Sequence, residues 1–341
     1  MDPLVMYYPE GHQKHFIPGH PERPDRVEAI REGLEEMGVW ESCPLLSSLP
    51  VSQDLLCKVH DPDYLALLKR TSQQAQMLDP DTYATRDSWQ LAVNAAGGAL
   101  AVVDRVWDRK AAAGFALTRP PGHHATRFRA MGFCLINNIA VAAEYLLREK
   151  GAGRLAIVDL DLHHGNGTQD IFWERPDVSY ISIHQAPFYP GTGAIFDVGD
   201  KAGLYTTLIL PIPAFSGDQA YQTLLEEVVL PYLDRSLPEM LLISFGFDTH
   251  WRDPLGSMLV SADCVYRMTH SLRAWCLDHC SGRMAVVLEG GYDLDAGRAC
   301  GQAIAAALLD QPWQDPLGPS PDQERDIWRE TYREALDMLR H

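Results

Sequence analysis

The chain has 341 residues, 46% of them apolar and 22% charged, with a net charge of −17 and seven cysteines. This is the composition of an ordinary globular protein long enough for a large core. No apolar run approaches the roughly 18 residues of a membrane span, Met1-Asp2-Pro3 lacks the basic start of a signal peptide, and the acidic balance disfavours direct nucleic-acid binding, which draws on clustered Lys and Arg. An odd number of scattered cysteines, none in a Cys-x-x-Cys pair, fits reduced thiols in a cytoplasmic protein rather than a disulfide framework or a structural zinc site; Cys276 and Cys280, one helical turn apart, read as core.

In chain order, a strand is expected at Leu4 to Tyr8, then a His-rich loop from Gly11 to His20 and the proline-bounded His20-Pro21-Glu22-Arg23-Pro24. Val27, Ile30, Leu34 and Met37 follow helical spacing up to Gly38, which can supply a left-handed cap, and Arg23 before them is expected at the surface. Helices follow at about Ser52 to Leu56, Asp63 to Lys69 and Asp87 to Arg109, the last weakened locally by Gly97-Gly98. Strand-like runs at 114–118, 155–158, 178–183, 204–210, 240–244 and 284–288 then alternate with helical patterns at Ala140 to Leu147, Asp218 to Leu233, Cys264 to Leu277 and Leu294 to Leu309, before a charged, amphipathic tail from Ser320 to Leu339 that is expected to form a terminal helix packed on the surface.

Strands alternating with helices imply an α/β fold: a central, mainly parallel sheet flanked by helices, with ligands bound beyond the carboxyl ends of the strands. No linker interrupts it, so residues 1–341 are read as one domain. Polar residues follow five of the strand runs: His123 and His124, Asp161 and His163, His184, Asp248, and Tyr292.

The stretch from Ile157 to Gly167 turns from an apolar run into carboxylates, imidazoles and glycines. An extended chain sends Asp159, Asp161 and His163 to one side and Leu160 and Leu162 to the other. Oxygen and nitrogen ligands without thiolate suit Zn²⁺, Fe²⁺ or Mn²⁺, and three protein ligands with an open position is the catalytic zinc pattern. Asp248 is the best candidate for the remaining ligand, with His250 a weaker alternative. Paired imidazoles after Pro120-Pro121-Gly122 suit proton transfer, and Tyr292 can donate a hydrogen bond to a developing oxyanion.

Together these segments resemble the zinc-dependent histone deacetylase family, which has the three-layer arginase-deacetylase fold. The resemblance rests on His20-Pro21-Glu22-Arg23-Pro24, Arg119-Pro120-Pro121-Gly122-His123-His124, Gly132-Phe133-Cys134, Asp159 through Thr168, Pro190-Gly191-Thr192-Gly193, Gly246-Phe247-Asp248 and Glu289-Gly290-Gly291-Tyr292. Asn166, where class I enzymes carry Asp, makes the chain look like the class II branch and its bacterial amidohydrolase relatives.

The resemblance implies Zn²⁺ on Asp161, His163 and Asp248, His124 as general base, His123 assisting under the orientation of Asp159, Asn166 contacting His124, and Tyr292 polarising the carbonyl. It also implies a structural K⁺ on the Asp159 carboxylate, the Ser182 hydroxyl and the carbonyls of Asp161, His163 and Ile183, and a narrow substrate tunnel along Gly132, Phe133, Tyr189, Leu255 and Gly290. Leu255 stands where polyamine-selective relatives carry an acid. The expected activity is therefore removal of an acetyl group from acetyl-lysine peptides or a related small N-acyl amine. Its rivals are an acetylpolyamine amidohydrolase, a weakly active acyl-lysine binder, and a binuclear manganese ureohydrolase of the same fold. The loop 11–20 and the segment 71–86 are expected to shape the entrance, and the sequence leaves a homo-oligomer open.

Overall fold

A computed structural model describes residues 1–339. Its centre is one sheet of eight parallel strands: β1 (Val5–Tyr7), β2 (Leu45–Leu46), β3 (Gly114–Ala116), β4 (Leu155–Asp159), β5 (Val178–Gln185), β6 (Thr207–Ile212), β7 (Leu241–Phe245) and β8 (Met284–Leu288). Their spatial order is β2-β1-β3-β8-β7-β4-β5-β6. Side-chain alternation divides the core between two faces: Ala156, Val158, Ile181 and Ile243 pack into one apolar cluster, and Leu155, Ile157, Tyr180 and Leu242 into the other. Parallel strands buried on both faces need continuous apolar runs, and β4, β5, β7 and β8 are buried at every position.

Strands β4 and β7 are neighbours, with Asp159 opposite Ser244. From β4 the chain moves outward to β5 and β6, whereas from β7 it moves the other way to β8. The crevice between them is a topological switch point, where open α/β sheets place their ligands. Asp161 and His163 leave one of these strands and Asp248 the other.

The helices follow the expected pattern with local differences. Asp25–Glu36 ends at Gly38 in the left-handed region, φ +68°, and Asn137 caps Asn138–Glu149 through Ala140 N–H. The pattern at Asp218 to Leu233 is a helix interrupted by a π turn, Leu225–Val229, and extended to Ser236. The strand expected from Leu204 begins only at Thr207, because Tyr205 takes φ +68° in the preceding turn. In the tail, helix starts at Asp326 and Arg329 rather than at Ser320, and the His-rich loop holds a short 3-10 turn, His12–Lys14. Residues 340 and 341 of the proposed domain lie outside the described residues. No helix among those described is long and apolar enough to cross a membrane.

Gly97 and Gly98, which weaken the helix Ser88–Trp107 by propensity, are there for contact. A Cβ on Gly98 would lie 2.2 Å from the Tyr7 ring, and one on Gly97 would lie 2.3 Å from the Leu49 carbonyl oxygen. Gly98→Ala should therefore destabilise the fold by about 1–3 kcal/mol through overpacking, despite the gain of roughly 1 kcal/mol in helix propensity. Urea denaturation reads the sign directly.

Candidate active site

Strand β4 stops at Asp159, and the chain beyond it is bent rather than extended. The expected alternation is produced by two successive side-chain turns. Asp159 Oδ1 accepts from Asp161 N–H at 3.2 Å, and Asp161 Oδ1 accepts from His163 N–H at 2.9 Å. Aspartate makes such turns readily, its carboxylate standing in for a backbone acceptor. On β7 the chain passes through Gly246 into a 3-10 turn, Phe247–Thr249, that delivers Asp248.

His163 Nδ1 lies 3.1 Å from both Asp161 Oδ1 and Asp248 Oδ2, and the ligand atoms of the three residues fall within 4.8 Å of one another. Asp248 Oδ2 is buried and takes no well-formed hydrogen bond. Glycines clear the space around it: a Cβ on Gly246 would stand 1.9 Å from Asp161 Oδ2, and one on Gly290 would stand 2.5 Å from Asp248 Oδ2. An orphaned carboxylate oxygen beside an imidazole and a second carboxylate fits a divalent cation. His250 is elsewhere, stacked on Trp251 with Nδ1 accepting from Arg252 N–H.

The two histidines stand beside this trio. His123 Nδ1 is 3.1 Å from Asp159 Oδ2, and His124 Nδ1 is 2.8 Å from Asn166 Oδ1. Burial opposes charge on His123, but Asp161 and Asp159 outweigh it and push its pKa up to about 10. His124 is held well below the ordinary histidine value by burial and by the charges of His123 and His163, with nothing but a neutral amide on its Nδ1.

A cavity of about 250 Å³ opens over these groups, lined by Gly132, Phe133, Phe188, Tyr189, Leu255, Gly290 and Tyr292 among others. His124 meets Tyr189 edge-on at 5.2 Å, and Phe133 meets Tyr292 edge-on at 5.9 Å. Gly132 has φ +55°, and a Cβ there would lie 2.4 Å from His124 Cδ2. A flat-walled slot closing on a polar base admits an extended alkyl chain. Gly132, Phe133, Tyr189, Leu255 and Gly290, the residues expected along a substrate tunnel, all line this cavity. Ser182 and Ile183, expected near a second cation, are buried on β5, with Asp159 opposite Ser182 in the β4–β5 register.

A family model described as the histone deacetylase domain matches residues 20–308. The chain belongs to the histone deacetylase family. It is 35% identical to histone deacetylase 10, chloroplastic, of Oryza sativa subsp. japonica, covering 100% of this chain and 81% of the relative. It is also 35% identical to a histone deacetylase-like amidohydrolase of Pseudomonas aeruginosa, covering 94% and 86%. The crystal structure of the HDA15 HD domain superposes with a TM-score of 0.90 at 35% identity, covering 99% of this chain and 95% of that one. As a histone deacetylase family member the chain is an amidohydrolase acting on acyl amides, and the family implies a metal cofactor.

Several site residues were not identified from the sequence. Glu289, fully buried at the end of β8, accepts from Gly122 N–H at 2.7 Å, His123 N–H at 3.0 Å and Ser244 Oγ–H at 3.0 Å, and so fixes the His123–His124 loop. Burial pushes its pKa up to about 7. Its place directly after an apolar strand was the available signal. The close trio His123, Cys134 and Glu289 is thus committed internally, and burial lifts the Cys134 thiol well above its ordinary value, away from the thiolate a metal needs. Asp81 lines the cavity mouth, its carbonyl 3.0 Å from His20 Nε2; no local pattern marks it. That contact joins the loop 11–20 to the segment 71–86, of which Asp81 lines the cavity. Arg23 is half exposed beside Asp25, as expected.

Behind the entrance, buried Glu22 ion-pairs with Arg26 at 2.9 Å and Arg119 at 2.7 Å. Arg119 also donates to the carbonyls of His12 and His15, and Arg26 donates to those of Glu289 and Gly291. One carboxylate therefore anchors both the entrance loop and the Tyr292 segment. Burial would raise the pKa of Glu22, but Arg119 and Arg26 outweigh it and lower it to about 2. Glu22→Gln leaves two buried guanidinium groups short of a counter-charge and should cost about 3–5 kcal/mol at neutral pH. Because the folded-state pKa is depressed, that advantage of the wild type is full above about 4.5 and is lost as pH falls towards about 2. Unfolding curves of both proteins across this range should converge at the acid end.

Proposed function

We propose that this chain is a zinc-dependent deacetylase that hydrolyses the N-acetyl amide of acetyl-lysine, with the whole chain serving as one catalytic domain. The observation that carries this reading is the trio Asp161, His163 and Asp248 at the base of a narrow apolar slot, with His123, His124 and Tyr292 around it. A zinc ion held by those three would supply Lewis acidity to the acyl carbonyl and the attacking water. His124, neutral and facing the cavity, takes the proton from that water and returns it to the leaving amine. Its Nδ1 is occupied by Asn166, which leaves Nε2 as the acceptor. His123, bonded to Asp159, supports it by charge. The Tyr292 hydroxyl donates to the developing oxyanion, and Phe133 and Tyr189 hold the alkyl chain.

The same reading places a K⁺ on the Asp159 carboxylate, the Ser182 hydroxyl and the carbonyls of Asp161, His163 and Ile183. Its support is the register that sets Asp159 against Ser182, and the fact that Asp159, though fully buried, has no Lys or Arg partner among the described residues. All seven cysteines are free, six of them buried, which supports a reducing, cytoplasmic setting. Asp81 at the cavity mouth favours a second reading, an acetylpolyamine amidohydrolase, because a carboxylate there can meet a distal ammonium group.

Two measurements test this. Turnover of acetyl-lysine peptides against acetylputrescine and acetylspermidine, with defined metals, should favour the peptides. A polyamine preference above about tenfold, ~1.4 kcal/mol in transition-state binding, would select the second reading. Tyr292→Phe should retain zinc and a metal-chelating inhibitor while losing about 10²-fold or more in kcat; unchanged turnover would remove the role given to that hydroxyl.

A further inference from the structure

We propose that Asp253 is a positioning residue that joins the tunnel wall at Leu255 to the hydroxyl donor Tyr292 as one rigid unit. The proposal rests on the role given above to Tyr292.

Asp253 is buried, and its carboxylate is used at both oxygens by backbone donors alone. Oδ1 accepts from Leu255 N–H at 3.0 Å, and Oδ2 accepts from Tyr292 N–H at 2.6 Å and Asp293 N–H at 3.1 Å. It has no Lys or Arg partner among the described residues. Three N–H groups from two chain segments converge on this one side chain, so its position sets theirs.

Other groups hold the flanks of the Tyr292 segment, Arg26 on the Glu289 and Gly291 carbonyls and Phe247 N–H on the Gly290 carbonyl at 3.2 Å, but the Tyr292 N–H is bonded to Asp253. Gly290 is tied by its N–H to Asp161 Oδ2 at 2.8 Å, and Asp293 caps the helix Leu294–Leu308 through Ala296 N–H at 2.8 Å. Between these anchors Gly291 takes φ +112°, and a Cβ there would stand 2.3 Å from the Phe247 ring. The backbone must therefore turn at a residue with no side chain, and the next peptide is that of Tyr292. Asp253 fixes that peptide. Arg26, lying 4.9 Å above the Tyr292 ring, contributes no hydrogen bond to its N–H.

Leu255 and Tyr292 line the same cavity from opposite chain segments. With both backbones on one carboxylate, a substrate that displaces Leu255 also displaces the peptide that aims the hydroxyl. Shape at the wall is thereby read out in turnover and not only in binding, because an error near 1 Å at the reacting centre costs on the order of 10²-fold.

The test is a double-mutant cycle on the zinc-loaded enzyme with an acetyl-lysine peptide: Asp253→Asn and Asp253→Ala, each made with and without Tyr292→Phe. Asp253→Asn conserves volume and serves if Asp253→Ala fails to fold, and thermal unfolding checks both. Expected is a fall of about tenfold or more in kcat with KM within about twofold, shrinking to less than about twofold once Tyr292→Phe is present. An equal loss in both backgrounds, or a loss confined to KM, overturns the proposal while leaving the role of Tyr292 intact. Unchanged turnover in Tyr292→Phe alone overturns both.

Discussion

Four carboxylates, those of Asp159, Asp161, Asp248 and Glu289, are fully buried together at the carboxyl ends of β4, β7 and β8. No Lys or Arg among the described residues pairs with any of them. Taking ionised carboxylates out of water costs several kcal/mol each unless charge or hydrogen bonds compensate. The surroundings divide the cost. Backbone N–H groups of Asp161, Leu162, His163, Gly290, Gly122 and His123 donate to the set, and His123, bonded to Asp159 Oδ2, supplies positive charge. Burial leaves Asp159, Asp248 and Glu289 with raised pKa values. A cation at the switch point resolves what is left, so the demand for metal is electrostatic before it is catalytic.

The rest of the architecture can be understood as support for that burial. A parallel sheet covered on both faces directs strand ends, with their unpaired backbone groups, to one rim. The glycines at 246 and 290 permit approaches to the carboxylates that no side chain could share. Farther out, Glu22 with Arg26 and Arg119 is a second buried charge cluster, fully paired, and it keeps the Tyr292 segment and the entrance loop in register with the first. Neither cluster is a cheap source of stability. Their value lies in fixing which backbone faces which.

This explains what the sequence could and could not disclose. Candidate ligands at strand ends were legible because several apolar runs each end in Asp, His or Tyr at one rim, although any single Asp there is more often a cap or turn former. The alternating pattern from Asp159 to His163 gave the correct side for each residue although side-chain turns, not a strand, produce it. The order of the strands was not legible, since the neighbours β4 and β7 are separated by most of the intervening fold. Two-residue β2 and the short helix Asn166–Phe172, which begins within a Gly-Asn-Gly run, have no local signature. Asp81, Asp253 and Glu289 acquire their roles from partners distant in sequence, and a carboxylate in a loop looks like any turn former until those partners are known.

The difference between the paired histidines follows from the same distribution of charge. Both are buried, both lie at one end of the sheet, and their rings are 4.2 Å apart. What separates them is the group on Nδ1, a carboxylate for His123 and an amide for His124. A cation on Asp161 would offset part of the field at His123, yet the 3.1 Å contact with Asp159 remains. Two adjacent imidazoles cannot both hold a proton at low cost, so the carboxylate decides which one is charged. In the proposed assignment His124 is left neutral, its Nδ1–H donated to Asn166 and its Nε2 lone pair free. The amide on His124 Nδ1 therefore keeps the charge on His123 and leaves His124 the less basic of the pair.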